Sequence, residues 1–179
     1  MTRATGARMV NEPQSGPFGA ILNGLEVMTD AIASALQARE SSAHYEALKM
    51  AFACECAERV RHLLEDEGVA HCLDILAAYV KGGAGGGALD GAAAEAAALA
   101  NRHQGSRSLD GVGHAAVSAS YAVANALGGR AVQAADYAAY AAVYGDGGYG
   151  AVCDPESFVD ERNWQLATLE RLANALGVR

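Results

Sequence analysis

Tyr45–Leu63 reads YEALKMAFACECAERVRHL, and its apolar residues decide the fold. Tyr45, Leu48, Phe52, Cys56, Val60 and Leu63 recur at steps of three and four, which places them on one face of a helix turning about 100° per residue. A strand would alternate sides, and nothing in the chain reads with that period of two. Ser41 or Ser42 stands where an N-cap belongs and Gly68 where a helix stops, so a long helix is expected from there to Asp66.

The same reading works outward in both directions. A first helix is expected from Gly19 to Arg39, with Ile21, Leu25, Met28, Ile32 and Leu36 on its stripe. A third follows from Val69 to Val80. Gly82–Gly87 is expected to be a linker outside helices, because each helical glycine costs about 1 kcal/mol relative to alanine. No strand precedes it and no Gly-Lys-Ser/Thr follows, so it is not a phosphate-binding loop. A fourth helix, Ala88 to Asn101, is almost pure alanine. The fifth and sixth, Leu109–Leu127 and Arg130–Tyr144, are divided by Gly128-Gly129. Gly145–Asp154 is expected to be a plain loop, with too few oxygen ligands for calcium. Pro155 opens the last helix, which runs to Leu176 before Gly177. The fold class expected is all-α: a single-domain, alanine-rich bundle or array of about seven antiparallel helices over residues 19–179, after a flexible tail at 1–18.

Composition narrows the function. Apolar residues are 51% of the 179, many of them alanine, so the core must come partly from close approach of helix backbones. Thirteen basic against 21 acidic residues leave a net charge of −8, which argues against direct nucleic-acid binding and suits either plain solubility or a basic partner. No apolar run has the length of a membrane span. Glu12, Pro13 and Gly16 interrupt any signal-peptide core, so the expected compartment is the cytoplasm. Cys54, Cys56, Cys72 and Cys153 form no Cys-x-x-Cys pair and read as small buried hydrophobes in a reducing environment.

The informative residues are polar ones on apolar stripes. In the last helix Phe158, Leu169, Leu172 and Leu176 set the inward direction, and Arg162 and Gln165 fall within it. In the sixth, Asp136 sits in the stripe of Val132, Ala139 and Val143. In the fifth, His114, Ser118, Tyr121 and Asn125 form one polar line. Glu55 and Arg59 lie near the stripe of the second. A charge in a core requires a partner, so these residues are expected to form a buried network, with Asp136 or Glu55 beside Arg162. Such a network is either structural or the lining of a recognition groove. Trp164 points off the inward stripe; with Tyr144, Asp146 and Tyr149 it makes a candidate partner-binding surface, unless it packs beneath another helix.

Catalytic signatures are lacking. No His-Glu-x-x-His, di-iron Glu-x-x-His pair or Gly-x-Ser-x-Gly occurs, so no catalytic residue, metal or cofactor is assigned. The acid–histidine pairs Glu40/His44, Glu58/His62, Glu67/His71 and Asp110/His114 match helix-surface pairing at a spacing of four. The competing class is a small-molecule-binding or metal-dependent helical enzyme with a polar pocket around His114, Asp136 and Arg162.

Three segments together resemble a known family. They are Ala53-Cys54-Glu55-Cys56-Ala57-Glu58-Arg59-Val60, the alanine-rich stretch from Gly113-His114-Ala115-Ala116 on through Tyr121 and Ala135 to Ala142, and Glu161-Arg162-Asn163-Trp164-Gln165. In this order they are similar to the Imm5-like immunity proteins of bacterial polymorphic toxin systems. The chain departs from that pattern at His71–Tyr79, where the family carries arginine and tryptophan, and in a longer glycine linker. The resemblance implies a non-enzymatic, all-helical protein that binds and neutralises a cognate toxin stoichiometrically. A basic toxin would suit the charge.

Overall fold

The computed structural model describes residues 31–103 and 113–178. Seven α-helices and no strand occur among the described residues: α1, described over 31–37; α2, Tyr45–Arg59; α3, Glu67–Val80; α4, Gly86–Arg102; α5, Gly113–Leu127; α6, Ala131–Val152; and α7, Val159–Ala175. Short 3-10 turns, Arg61–Leu63 and Pro155–Phe158, lead into α3 and α7. The tail expected at 1–18, the residues Ile21, Leu25 and Met28, and the expected start of the fifth helix at Leu109 lie outside the described residues.

The stripe of Tyr45–Leu63 makes α2 the hub. Leu48, Phe52, Cys56 and Val60 are fully buried, with Tyr45 and Leu63 packed at the edge. Around this face stand α3, α5, α6 and α7. Ile32 and Leu36 of α1 join the same core, as do Val69, Cys72, Leu73 and Leu76 of α3 and Leu169 of α7.

Alanine builds the tightest seam. Ala119, Ala122 and Ala126 on α5 and Ala134, Ala135, Ala138 and Ala141 on α6 have no exposed surface. Alanine loses no rotamer entropy on burial and lets helix axes approach toward the lower end of the usual 8–10 Å range of about one helix diameter, where backbone dispersion replaces side-chain volume. A second, smaller core of Ala139, Val143 and Phe158 lies under the far end of α6, edged by Tyr140, Ala151 and Val152.

Several boundaries differ from those the sequence predicts. α2 ends at Arg59 rather than Asp66, because the Val60 N–H turns back to the Ala57 carbonyl at 3.2 Å and the chain tightens into the 3-10 turn. Asp66 instead starts α3: its carboxylate accepts the Gly68 N–H at 2.8 Å, so Gly68 belongs to a first turn. Gly86 and Gly87 lie inside α4, not in the linker; Leu89, Ala92, Ala96 and Ala100 bury the face of that helix and offset its glycine-rich start. The loop expected at Gly145–Asp154 is helical as far as Val152, with a kink at Gly148 (φ 65°, ψ −156°), a backbone state that favours glycine. At Gly145 the helix runs so close to α2's extension that an added Cβ would sit 3.2 Å from Leu63 Cδ2.

Cysteine placement splits three to one. Cys54, Cys56 and Cys72 are buried, and burial pushes the Cys54 thiol up to about 12 and the Cys56 thiol well above its ordinary value, which makes both inert. Cys153 is exposed at the end of α6, contrary to the buried reading. The spacing-of-four pairs do not organise the surface either. Glu58 bonds Arg61 at 3.3 Å, and among the described residues His44, His62 and His71 form no ion pair. Asp110 lies outside the described residues.

Candidate functional site

Polar chemistry concentrates where α7 meets α2 and α6. Glu161, Gln165 and Leu169 are spaced by four on α7, so all three face inward, and Arg162 flanks them. Arg162 is 3% exposed and Gln165 fully buried. One end of the Arg162 guanidinium donates from Nη2 to Asp136 Oδ1 at 2.7 Å, and Nη1 donates to Gln165 Oε1 at 3.0 Å. Gln165 Nε2 then donates to the Ala135 carbonyl at 2.8 Å. This chain of bonds fixes α7 against α6 through a charge that burial alone would make costly.

Glu161 anchors a second set. Its side chain is 6% exposed, and Oε2 accepts from Arg59 Nε of α2. The Arg59 guanidinium carbon lies 4.2 Å from the centre of the Trp164 ring, a cation–π stack that covers one face of the indole. Trp164 is half-buried and packs against the core, so it serves as a platform for Arg59 rather than as a free anchor. Burial raises the Glu161 carboxyl above its usual range, and the bond and charge of Arg59 only partly counter this. Glu161 Oε1 and Arg162 Nε are buried without a hydrogen-bond partner.

The other expected members of the network lie elsewhere. Glu55 is half-exposed and pairs with Arg171 at 3.4 Å, so it does not reach Arg162. His114 is exposed, and its ring centre is 5.3 Å from that of Tyr144. Eight residues along α6 separate Tyr144 from Asp136, about 12 Å at the helical rise of about 1.5 Å per residue. The pocket expected around His114, Asp136 and Arg162 is therefore not formed. Ser118 and Asn125 are buried as expected. Asn125 bonds within its own turn region, donating to the Tyr121 carbonyl at 2.8 Å and accepting from Arg130 Nε at 2.6 Å. Tyr121 donates to Asn101 at 3.1 Å and stacks on Tyr137 at 5.2 Å, which ties α5 to α4 and α6. The polar line on α5 thus joins neighbouring helices without meeting the Arg162 cluster.

A cleft of about 300 Å³ opens beside Glu161. Arg59, Asp146, Gly147, Ser157 and Asp160 line it with Glu161, over an apolar floor of Ala142, Val143 and Ala151. No family model matches the chain. No curated protein and no solved structure matches it either. The cleft must accordingly be read from its own chemistry.

That chemistry is acidic. Gly145–Glu161 contains Asp146, Asp154, Glu156, Asp160 and Glu161 and no lysine or arginine. The one basic side chain lining the cleft, Arg59, is held by Glu161, and the adjoining Arg162 is held by Asp136. Among the described residues Asp146 and Asp160 have no ion-pair partner, and no three His, Cys, Asp or Glu side chains converge as a metal site would require. Of the candidate partner-binding residues, Asp146 lines this cleft and Tyr149 is 72% exposed, whereas Tyr144 is buried under the stack it forms with His114 and Tyr140.

Sequence reasoning missed Glu161 as a site residue although the signal was present. Glu161 precedes Gln165 by four on the same inward stripe. Ser120 was also missed; it is fully buried and satisfies itself by donating to the Ala116 carbonyl at 3.0 Å.

Proposed function

We propose that the chain is an immunity protein that binds a cognate bacterial toxin stoichiometrically and blocks it, as its resemblance to the Imm5-like family implies. The observation that carries this reading is the acidic segment Gly145–Glu161, with five carboxylates and no lysine or arginine of its own; Asp146, Asp160 and Glu161 line an open cleft, where Arg59 pairs with Glu161 alone. Such a surface attracts a basic partner over long range and speeds its docking. A basic nuclease toxin is the class of partner this favours, with the inhibitor masking a positively charged surface the toxin needs for its own substrate. No catalytic role is assigned to the chain, and cytoplasmic residence follows as part of the same proposal.

The test is co-expression with the product of the gene adjacent to its own. Restored growth together with co-purification at one-to-one stoichiometry is expected. Growth arrest despite full expression of the chain overturns the immunity reading, and so does rescue without a stable complex.

A further inference from the structure

We propose that residues 145–157 form a strap that opens from the bundle by itself, while Tyr144 and Phe158 at its two ends stay in place. One wall of the cleft beside Glu161 moves with it. Its opening needs no partner and stands apart from the immunity reading.

Burial sets the ends of the strap. Tyr144 is 9% exposed and stacks on Tyr140, and Phe158 is 4% exposed in the smaller core with Ala139 and Val143. Between them no residue is buried. Ala151 and Val152 touch the smaller core, both at its edge. Opening the strap therefore returns little apolar surface to water, and the hydrophobic effect, which scales with that surface, does little to hold it closed.

Polar contacts do not replace the missing burial. Among the described residues no ion pair reaches from the strap to another element. The bonds at its far end are internal: Asp154 Oδ1 accepts from the Glu156 N–H at 3.1 Å, and the Asp154 N–H donates to the Ala151 carbonyl at 3.0 Å. Its helical turns are weak in their own right. Four of the six residues Gly145–Gly150 are glycine, the poorest helix former after proline, and the helix kinks at Gly148. A segment with little buried apolar surface and solvent-facing hydrogen bonds opens at a fraction of the free energy that unfolds the whole domain.

The cleft thus has a movable side and a fixed one. Asp146, Gly147, Ala151 and Ser157 belong to the strap, whereas Arg59, Ala142, Val143 and Glu161 sit on α2, α6 and α7. Arg59 is held on the fixed side by Glu161 and Trp164. Opening the strap changes the width of the cleft without disturbing the Arg59–Glu161 pair.

Hydrogen exchange of the intact chain, followed amide by amide by NMR, tests this. After correction for intrinsic rates, the helical amides of residues 146–152 should exchange at least about a hundredfold faster than those of Phe52–Cys56 in α2. Low concentrations of denaturant should leave the strap's rate unchanged, because little surface is exposed on opening. Val69 is fully buried on α3, which packs on α2, α4 and α5. Val69→Ala should speed the α2 amides about tenfold and leave those of the strap as they were. Gly150→Ala, at a site where an added Cβ meets nothing within 4 Å, should slow the strap about fivefold, the equivalent of about 1 kcal/mol. Strap amides that exchange at the rate of α2, or that speed up together with α2 in Val69→Ala, would overturn the proposal. So would a strap indifferent to Gly150→Ala, since no helical turn would then be lost on opening.

Discussion

The seam between α5 and α6 and the seam that α7 makes with α2 and α6 hold the same bundle together by opposite means. The first is a wall of alanines with no exposed surface and no charge. The second buries Arg162, Gln165 and Glu161 and joins them to Asp136, Ala135 and Arg59. Alanine gives little transfer free energy per residue but lets two helices approach closely along their length. Charged groups give little net free energy once desolvation is counted, but they admit one register only, because a slip leaves a buried charge unpaired. The alanine seam therefore sets how closely helices lie, and the polar seam sets where along its axis α7 sits. That second setting is what places Glu161 and Asp160 beside Asp146.

The largest expected effect comes from breaking the polar seam. Arg162→Ala leaves Gln165 without its donor and Asp136 without its guanidinium, and should destabilise the fold by about 3 kcal/mol. The lower end of the usual range applies because the Asp136 side chain is 38% exposed and water can partly resolvate it. Chemical denaturation of the two proteins measures this; a loss below about 1 kcal/mol would mean the seam is not held by this residue. Ala138→Leu attacks the alanine seam instead. Its added carbons have no space at a position with no exposed surface, and a loss of about 2 kcal/mol is expected from overpacking. That loss should be the same at every pH between acid and neutral, because no titrating group is involved.

The smallest effect is the one that separates the two seams by pH. Glu161 has a folded value raised above its unfolded one, so its stabilising contribution is greatest below the unfolded value and is lost as pH rises through the folded one. Glu161→Gln, which cannot titrate, should compare least well with the parent at acid pH and improve relative to it as pH rises, by on the order of 1 kcal/mol or less. Melting curves for both proteins across that window decide it. A gap that widens in favour of the parent as pH rises would show that the Arg59 bond outweighs burial.

Much of the fold was legible because periodicity reports burial directly. The stripe of Leu48, Phe52, Cys56 and Val60 and the Gly128-Gly129 break both appear where the sequence places them. The helix ends were less legible, since Asp66 can be read as the last residue of one helix or the cap of the next, and Gly145–Gly150 has the composition of a loop. The structure keeps that segment helical on both sides of a kink at Gly148, with Gly145 set close against Leu63. The site was half legible. Arg162 and Gln165 on an apolar stripe implied buried partners, and Asp136 is one of them. Nothing in the spacing could say that Glu55 would turn outward to Arg171 or that Arg59 would reach Glu161, 102 residues away in the chain.

The sequence by itself determined that this chain is helical, which faces of its helices turn inward, and that arginine and glutamine on one such face would need partners. Those are consequences of a fixed 100° turn and of the cost of burying charge, and both act within a single helix. Only the tertiary structure decided which partners were chosen. Asp136 meets Arg162 across 26 residues, Arg59 lies on Trp164, and the acidic end of α6 comes to rest beside Glu161 as the wall of an open cleft. Those pairings depend on how closely the alanine seams let the helices approach, a distance that no single helix contains.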